Sequence, residues 1–220
     1  MDRIPEPDLM DDPAQAEAYH RADFTEAHER FVTLFRQFFE AGSWAGPVLD
    51  LGCGTADVTR RFARAFDDQR IHGVDGAEAM LRLGREMLER EGLNCRVELF
   101  CRYLPVDRLP EPHYGAVISN SLLHHLQDPL TLWSVIRRFA TPGAPILVMD
   151  LLRPATSERA AELVALYAAG EAEILRRDFF NSLCAAYQPH EVEQQIREAG
   201  IEGIDVTTVS DRHWIAWGRV

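Results

Sequence analysis

Val48-Leu49-Asp50-Leu51-Gly52-Cys53-Gly54-Thr55 decides how this chain is read. A short apolar run holding one carboxylate ends in two glycines a residue apart, and a helical pattern follows to about residue 66. Glycine adopts left-handed backbone and lets the chain approach a ligand closely, and open α/β sheets bind ligands where a strand feeds such a turn and then a helix. About 20 residues on, Ile71-His72-Gly73-Val74-Asp75 closes a second apolar run on an acid, at the position from which a carboxylate can bond ribose hydroxyls.

Outward from this point the pattern repeats. Apolar runs at 47–51, 70–74, 96–100, 115–120 and 144–151 alternate with helical stretches to 66, over 77–91 and over 129–140. Strands alternating with helices predict a mostly parallel, doubly wound sheet with helices on both faces. Residues 155–187 read as helical with no new strand, which predicts an insertion over the strand ends. A helix over 189–199 precedes runs at 203–209 and 213–219, and the short Ser210-Asp211 link predicts an antiparallel hairpin. Upstream, Phe31, Phe35 and Phe38 recur at helical spacing, with Val32, Leu34 and Phe39 widening the stripe, so a helical segment over 14–41, broken near Phe24, is expected to dock by that face. Residues 1–13 hold three prolines and four aspartates and read as a loose arm. The expected organisation is an arm and capping helix over 1–41 and a ligand-binding domain over 42–220, carrying a helical lid at about 153–187.

Composition narrows the function. With 220 residues, 46% hydrophobic and 26% charged, the chain has the balance of an ordinary globular protein with one core. Its net charge of −12 disfavours nucleic acid and anionic membranes as partners. Cys53, Cys95, Cys101 and Cys184 form no C-x-x-C pair, so neither a disulfide nor a metal site is expected. The start, MDRIPEPDLMDDP, lacks the pattern of a secretory signal, and a cytoplasmic monomer or homodimer is expected.

The charges also bear on the ligand. A dinucleotide fingerprint asks for a third glycine where this chain has Asp57, and Asp50 adds a carboxylate beside the turn. Two anionic groups repel a pyrophosphate, whereas S-adenosylmethionine carries a sulfonium and an ammonium and no phosphate. This disfavours the rival reading, a nicotinamide-dependent oxidoreductase.

From about 47 to 151 the chain resembles the class I S-adenosylmethionine-dependent methyltransferases. Residues 48–55 are similar to that family's glycine-rich first motif, Gly73-Val74-Asp75-Gly76-Ala77-Glu78-Ala79-Met80-Leu81 to its second, and Ala116 through Leu126 (AVISNSLLHHL) to its fourth. Thr141-Pro142-Gly143-Ala144 resembles the turn before its fifth strand. The resemblance implies a Rossmann-like sheet of about seven strands with the last antiparallel, and S-adenosylmethionine as cofactor. It implies cofactor contacts from Asp50, Gly52, Cys53, Gly54, Gly76, Asn120 and Ser121, with Asp75 on the ribose and Met80 lining the adenine slot. The third motif departs from the family, since Cys101-Arg102-Tyr103 stands where Gly-Asp is usual, which leaves Arg102 as the cofactor candidate there. The fourth motif departs at its start, where Gly115 follows Tyr114 in place of an acid.

Acceptor candidates lie outside these motifs. His125 is the candidate catalytic base, since histidine titrates near neutral pH. Tyr19 and the polar cluster Arg176, Arg177, Asn181 and Tyr187 are the candidate substrate contacts, the two arginines as a clamp for an anion. The expected function is in-line methyl transfer to a small-molecule acceptor under the helical lid. The alternatives are a protein or tRNA acceptor, and a non-catalytic module that binds the methyl donor for a partner.

Overall fold

The computed structural model describes residues 1–6, 11–40 and 42–220. Residues 7–10 of the expected arm, and Ala41 at the end of the expected capping segment, lie outside the described residues. Two helices, α1 (Pro13–Arg21) and α2 (Thr25–Phe38), precede β1 (Val48–Leu51), α3 (Asp57–Ala65), β2 (Ile71–Asp75), α4 (Glu78–Arg90) and β3 (Val97–Cys101). Then come β4 (Ala116–Asn120), a 3-10 turn (Leu123–His125), α5 (Leu130–Phe139) and β5 (Pro145–Leu151). The helices α6 (Ser157–Tyr167), α7 (Glu173–Ala185) and α8 (Pro189–Glu198) lead to β6 (Ile204–Thr208) and β7 (His213–Arg219).

The seven strands form one sheet in the order β3-β2-β1-β4-β5-β7-β6. The first five are parallel, and β7 runs antiparallel between β5 and β6, as the hairpin reading expected. The chain reverses direction across the sheet between β1 and β4, which opens a crevice at their carboxyl ends. Side chains on a strand alternate between faces, and each face has its own core. Val48, Ile118, Leu147 and Ile215 pack under α2 and α3, whereas Leu49, Val117, Ile146 and Trp214 pack under α5 and α8. Both faces are covered, which is why β1 and β5 are buried along their whole length.

The phenylalanine stripe is the packing face of α2. Phe31 and Phe35 are fully buried, and Phe38 stacks on Trp217 with ring centroids 3.8 Å apart. Phe35 also meets Phe62, Phe66 and Trp44 edge to face.

The N-terminal segment corrects the reading of a loose arm. Ile4 N–H donates to the Cys184 carbonyl (3.0 Å), and Arg3 donates through Nε to the Ala185 carbonyl and through Nη2 to that of His124 (2.6 and 3.0 Å). Proline and aspartate are poor core formers but do not prevent neighbouring backbone and arginine donors from pairing with the carbonyl groups of α7. Among the described residues no helix is long and apolar enough to cross a membrane.

Because Phe35 packs against four aromatic rings, those of Phe39, Trp44, Phe62 and Phe66, Phe35→Ala is expected to lower the free energy of unfolding by about 3–5 kcal/mol. A denaturant titration of both proteins measures it, with a shifted midpoint and an unchanged slope as the expected result.

Candidate active site

The crevice opens into a cavity of about 700 Å³, within the usual range for small-molecule sites. Its floor is the turn after β1. Gly52 and Gly54 both have left-handed backbone (φ +73° and +52°), for different reasons. A Cβ on Gly52 would come within 2.7 Å of the Leu122 side chain, so this glycine makes room for the loop after β4. A Cβ on Gly54 would meet no atom within 4 Å, so this glycine borders open space on the cavity floor.

Asp75 ties the turn to β2. One carboxylate oxygen accepts from Gly54 N–H and the other from Ala77 N–H, both at 2.8 Å. Each oxygen keeps a further acceptor site, and Asp75 lines the cavity. Burial raises its pKa against these amide bonds. Asp50 is more deeply buried, accepts from the Thr59 hydroxyl at 2.6 Å, and lines the same floor. Burial pushes its carboxyl up to about 7, with the Asp75 charge adding to the shift and Thr59 opposing it. A cation placed here would favour the ionised form. Asp57 holds its charge differently: His28 lies 2.6 Å away, and Arg60 and Arg61 also bind it. Its charge is therefore neutralised locally, and the case against a pyrophosphate rests on Asp50.

Beside the floor, β4 ends on Asn120, whose Nδ2 reaches Ser121 Oγ at 3.2 Å and whose Oδ1 is a buried acceptor with no hydrogen-bond partner. An orphaned carbonyl at a cavity wall suits a ligand N–H. Ser121 takes left-handed backbone (φ +57°), a costly conformation for serine, and turns the chain into the 3-10 turn that carries His124 and His125. Nothing in the sequence announced that bend.

The remaining cofactor candidates, Cys53, Gly76, Met80 and Arg102, also line the cavity, as do Tyr19 and His125. Tyr19 packs on Phe24 (4.7 Å between centroids), and burial raises its hydroxyl pKa, with Asp57, Asp75 and Asp150 adding to the shift. The α7 candidates are placed elsewhere. Leu175, Asp178, Phe179 and Ser182 face the cavity, and at about 100° per residue Arg176 and Arg177 turn away from that face. They are exposed beside Phe180 in a shallow groove against α6, and Asn181 also falls off the cavity face. Tyr187 is buried beneath the Arg3 guanidinium, 4.2 Å from its ring centroid, in a bridge to Leu152. The anion clamp expected from Arg176 and Arg177 is therefore not where a cavity ligand could use it. Among the described residues the arginines lining the cavity are Arg102 and Arg212, and Arg212 lies 3.3 Å over the Tyr167 ring and pairs with Asp211 at 3.1 Å. Arg212 sits in the hairpin turn that the sequence reading passed over as a link, and the spacing of Leu175, Asp178, Phe179 and Ser182 was the available signal for the inner face of α7.

The loop after β4 carries a second polar group. His124 Nδ1 is 2.5 Å from Asp150 Oδ1, and Asp150 also accepts from the His124 and Leu151 amides. Glu6 approaches both histidines and accepts from Ser182 at 3.0 Å. Burial would raise Glu6, but His125, His124 and Ser182 outweigh it and hold the carboxyl below its ordinary value.

Comparison with known proteins agrees with this geometry. Residues 48–143 match the family model described as a methyltransferase domain. An uncharacterized methyltransferase of Mycobacterium tuberculosis is 26% identical over 154 residues, covering 68% of this chain and 75% of the relative. A ubiquinone/menaquinone biosynthesis C-methyltransferase of Shewanella halifaxensis is 24% identical over 192 residues, covering 81% and 76%. Among solved structures, the plantazolicin methyltransferase BpumL in complex with SAH superposes with a TM-score of 0.72 at 14% identity, covering 94% of this chain and 90% of that one, a likeness of fold. With the glycine turn, Asp75 and the seven-stranded order already in place, residues 48–143 are similar to methyltransferase domains and the whole chain is similar in fold to S-adenosylmethionine-dependent methyltransferases.

Proposed function

We propose that this protein transfers the methyl group of S-adenosylmethionine to a small polar acceptor held in the same cavity, beneath α1 and α7. One observation carries the reading: a single cavity is lined both by the glycine turn and Asp75 and by a second set of polar side chains that includes His125, Asp178 and Arg212. The bound cofactor supplies a methyl group on a cationic sulfur.

The residues of this chain then have distinct tasks. Asp75 has acceptor sites free for ribose hydroxyls, and Gly54 leaves the space beside them open. Asp50 and the unpartnered Asn120 Oδ1 offer negative ends to an ammonium group. His125 engages the acceptor atom in this reading, and Arg212 holds an anionic or strongly polar part of it. Tyr19 and the inner face of α7 exclude water, so positioning and desolvation supply most of the rate. A small acceptor is supported by two relatives, one named for quinone biosynthesis and the other for plantazolicin. The net charge of −12 opposes RNA.

A screen of small-molecule acceptors with isotopically labelled S-adenosylmethionine tests the reading, and label found only on protein or RNA would overturn the acceptor class. For the donor site, Asp75→Asn should weaken S-adenosylmethionine binding by about 1.5–3 kcal/mol in calorimetry, the cost of losing hydrogen bonds to a charged group.

Asp50 makes donor binding depend on pH. Its carboxyl is protonated below about 7, and a cationic ligand binds the ionised form, so affinity should rise with pH and level off above 7. Below that point it should fall by up to about tenfold per pH unit, with a proton released on binding, and Asp50→Asn should flatten the profile. The same group lowers the stability of the ligand-free protein as pH rises from about 4 to 7, because the folded state binds the proton more tightly than the unfolded state does.

The two arginine sites should behave oppositely. Arg176→Ala with Arg177→Ala should leave donor affinity and turnover within about twofold, as for exposed side chains in general. Arg212→Ala should raise KM for an anionic acceptor about tenfold or more without changing donor affinity. Steady-state kinetics on the acceptor found in the screen reads both.

A further inference from the structure

Glu6 comes from the N-terminal segment and His124 and His125 from the middle of the sequence, and the three meet where the histidines line the cavity. We propose that they bind a divalent transition-metal ion of the zinc type, with Asp150 holding His124 from behind and an open coordination position facing the acceptor space.

The ligand atoms of these three residues all lie within 4.8 Å of one another. Glu6 Oε1 is 3.5 Å from His124 Nε2 and 3.1 Å from His125 Nδ1. Zinc bonds of about 2.0–2.1 Å in tetrahedral geometry place neighbouring ligand atoms about 3.3–3.4 Å apart, so two edges of the polyhedron are present to within a few tenths of an ångström. The 3.5 Å separation of Glu6 from His124 Nε2 is long for an N–H···O bond, whereas His125 Nδ1, at 3.1 Å, is within hydrogen-bond reach of the same oxygen. One central cation would engage all three groups at once.

The support around the triad is that of a metal ligand set. The Asp150 carboxylate, itself held by two backbone amides, takes the His124 Nδ1 proton and turns the Nε2 lone pair toward Glu6. A carboxylate behind a ligating imidazole fixes its tautomer and raises its basicity. The side chains of His124, Asp150 and Glu6 are 3%, 1% and 9% exposed, so the two carboxylates concentrate negative charge where little water can screen it. Two imidazoles and one carboxylate favour zinc and its neighbours over magnesium or calcium, and three protein ligands leave a position open. Both histidines line the cavity, so that position faces the acceptor. An acceptor hydroxyl, amine or thiol bound there would be oriented and made more acidic, and His125 would act on it through the ion. This last step rests on the proposed reading of the cavity; the metal site itself does not.

The test uses the full chain, freed of metal with a chelator. Co2+ titration followed by absorption, and Zn2+ titration against a chromophoric chelator, should show a single bound ion per chain. Affinity should fall by more than about 100-fold in Glu6→Gln and in His125→Gln, beyond the 10–100-fold cost expected for Asp150→Asn. Glu6→Gln should bind S-adenosylmethionine as the wild type does, which shows that its fold and donor site are intact. Absence of Co2+ and Zn2+ uptake by the wild type, or equal uptake by Glu6→Gln and His125→Gln, overturns the metal site. Donor binding that persists without metal uptake sinks this inference alone, whereas metal uptake without donor binding upholds the site and sinks the methyl-transfer reading.

Discussion

The carboxylate of Asp75 holds this site together. By accepting the Gly54 and Ala77 amides it joins the end of β1 to the end of β2, and it fixes the glycine turn at the open side of the sheet. The turn can lie there only because Gly52 and Gly54 take left-handed backbone, and because Gly52 has no side chain to strike Leu122. Leu122 begins the loop that carries His124 and His125. One close approach, glycine against leucine, thus links the Asp75 end of the site to the end that carries the two histidines.

That other end is organised by a second buried carboxylate. Asp150 sits one strand beyond β4 and receives three donors from the 3-10 turn and β5, so the bend introduced at Ser121 is held in place. Glu6 then closes the group from the N-terminal segment, itself held by Arg3 and Ile4 on the carbonyl groups of α7. Three distant parts of the chain converge on a few ångströms of polar wall. Each buried charge is offset by a neighbour, as burial requires.

The sheet, and the meeting of the glycine turn with Asp75 at the candidate site, were legible because their signals are local. A strand, a glycine turn, a helix and an acid about 20 residues on lie in one unit, and short apolar runs alternating with helical periods can be counted along the chain. The acceptor half was less legible. Arg176 and Arg177 drew attention as a charged pair, yet only the helical phase set by Leu175, Asp178, Phe179 and Ser182 shows which side of α7 faces in. Glu6 stood in a stretch whose prolines and aspartates argued for a loose arm, and its partners are more than a hundred residues away. Arg212 lay in a turn between strands, where the hairpin was visible but its reach into the cavity was not.

The most direct measurement is a crystal structure of the protein with S-adenosylhomocysteine, the product left after transfer. The account places the ribose hydroxyls on Asp75, the amino acid end beside Asp50 and Asn120, and the sulfur facing the wall that carries His125 and Arg212. A nucleoside bound away from Asp75, or a sulfur turned from that wall, would contradict it.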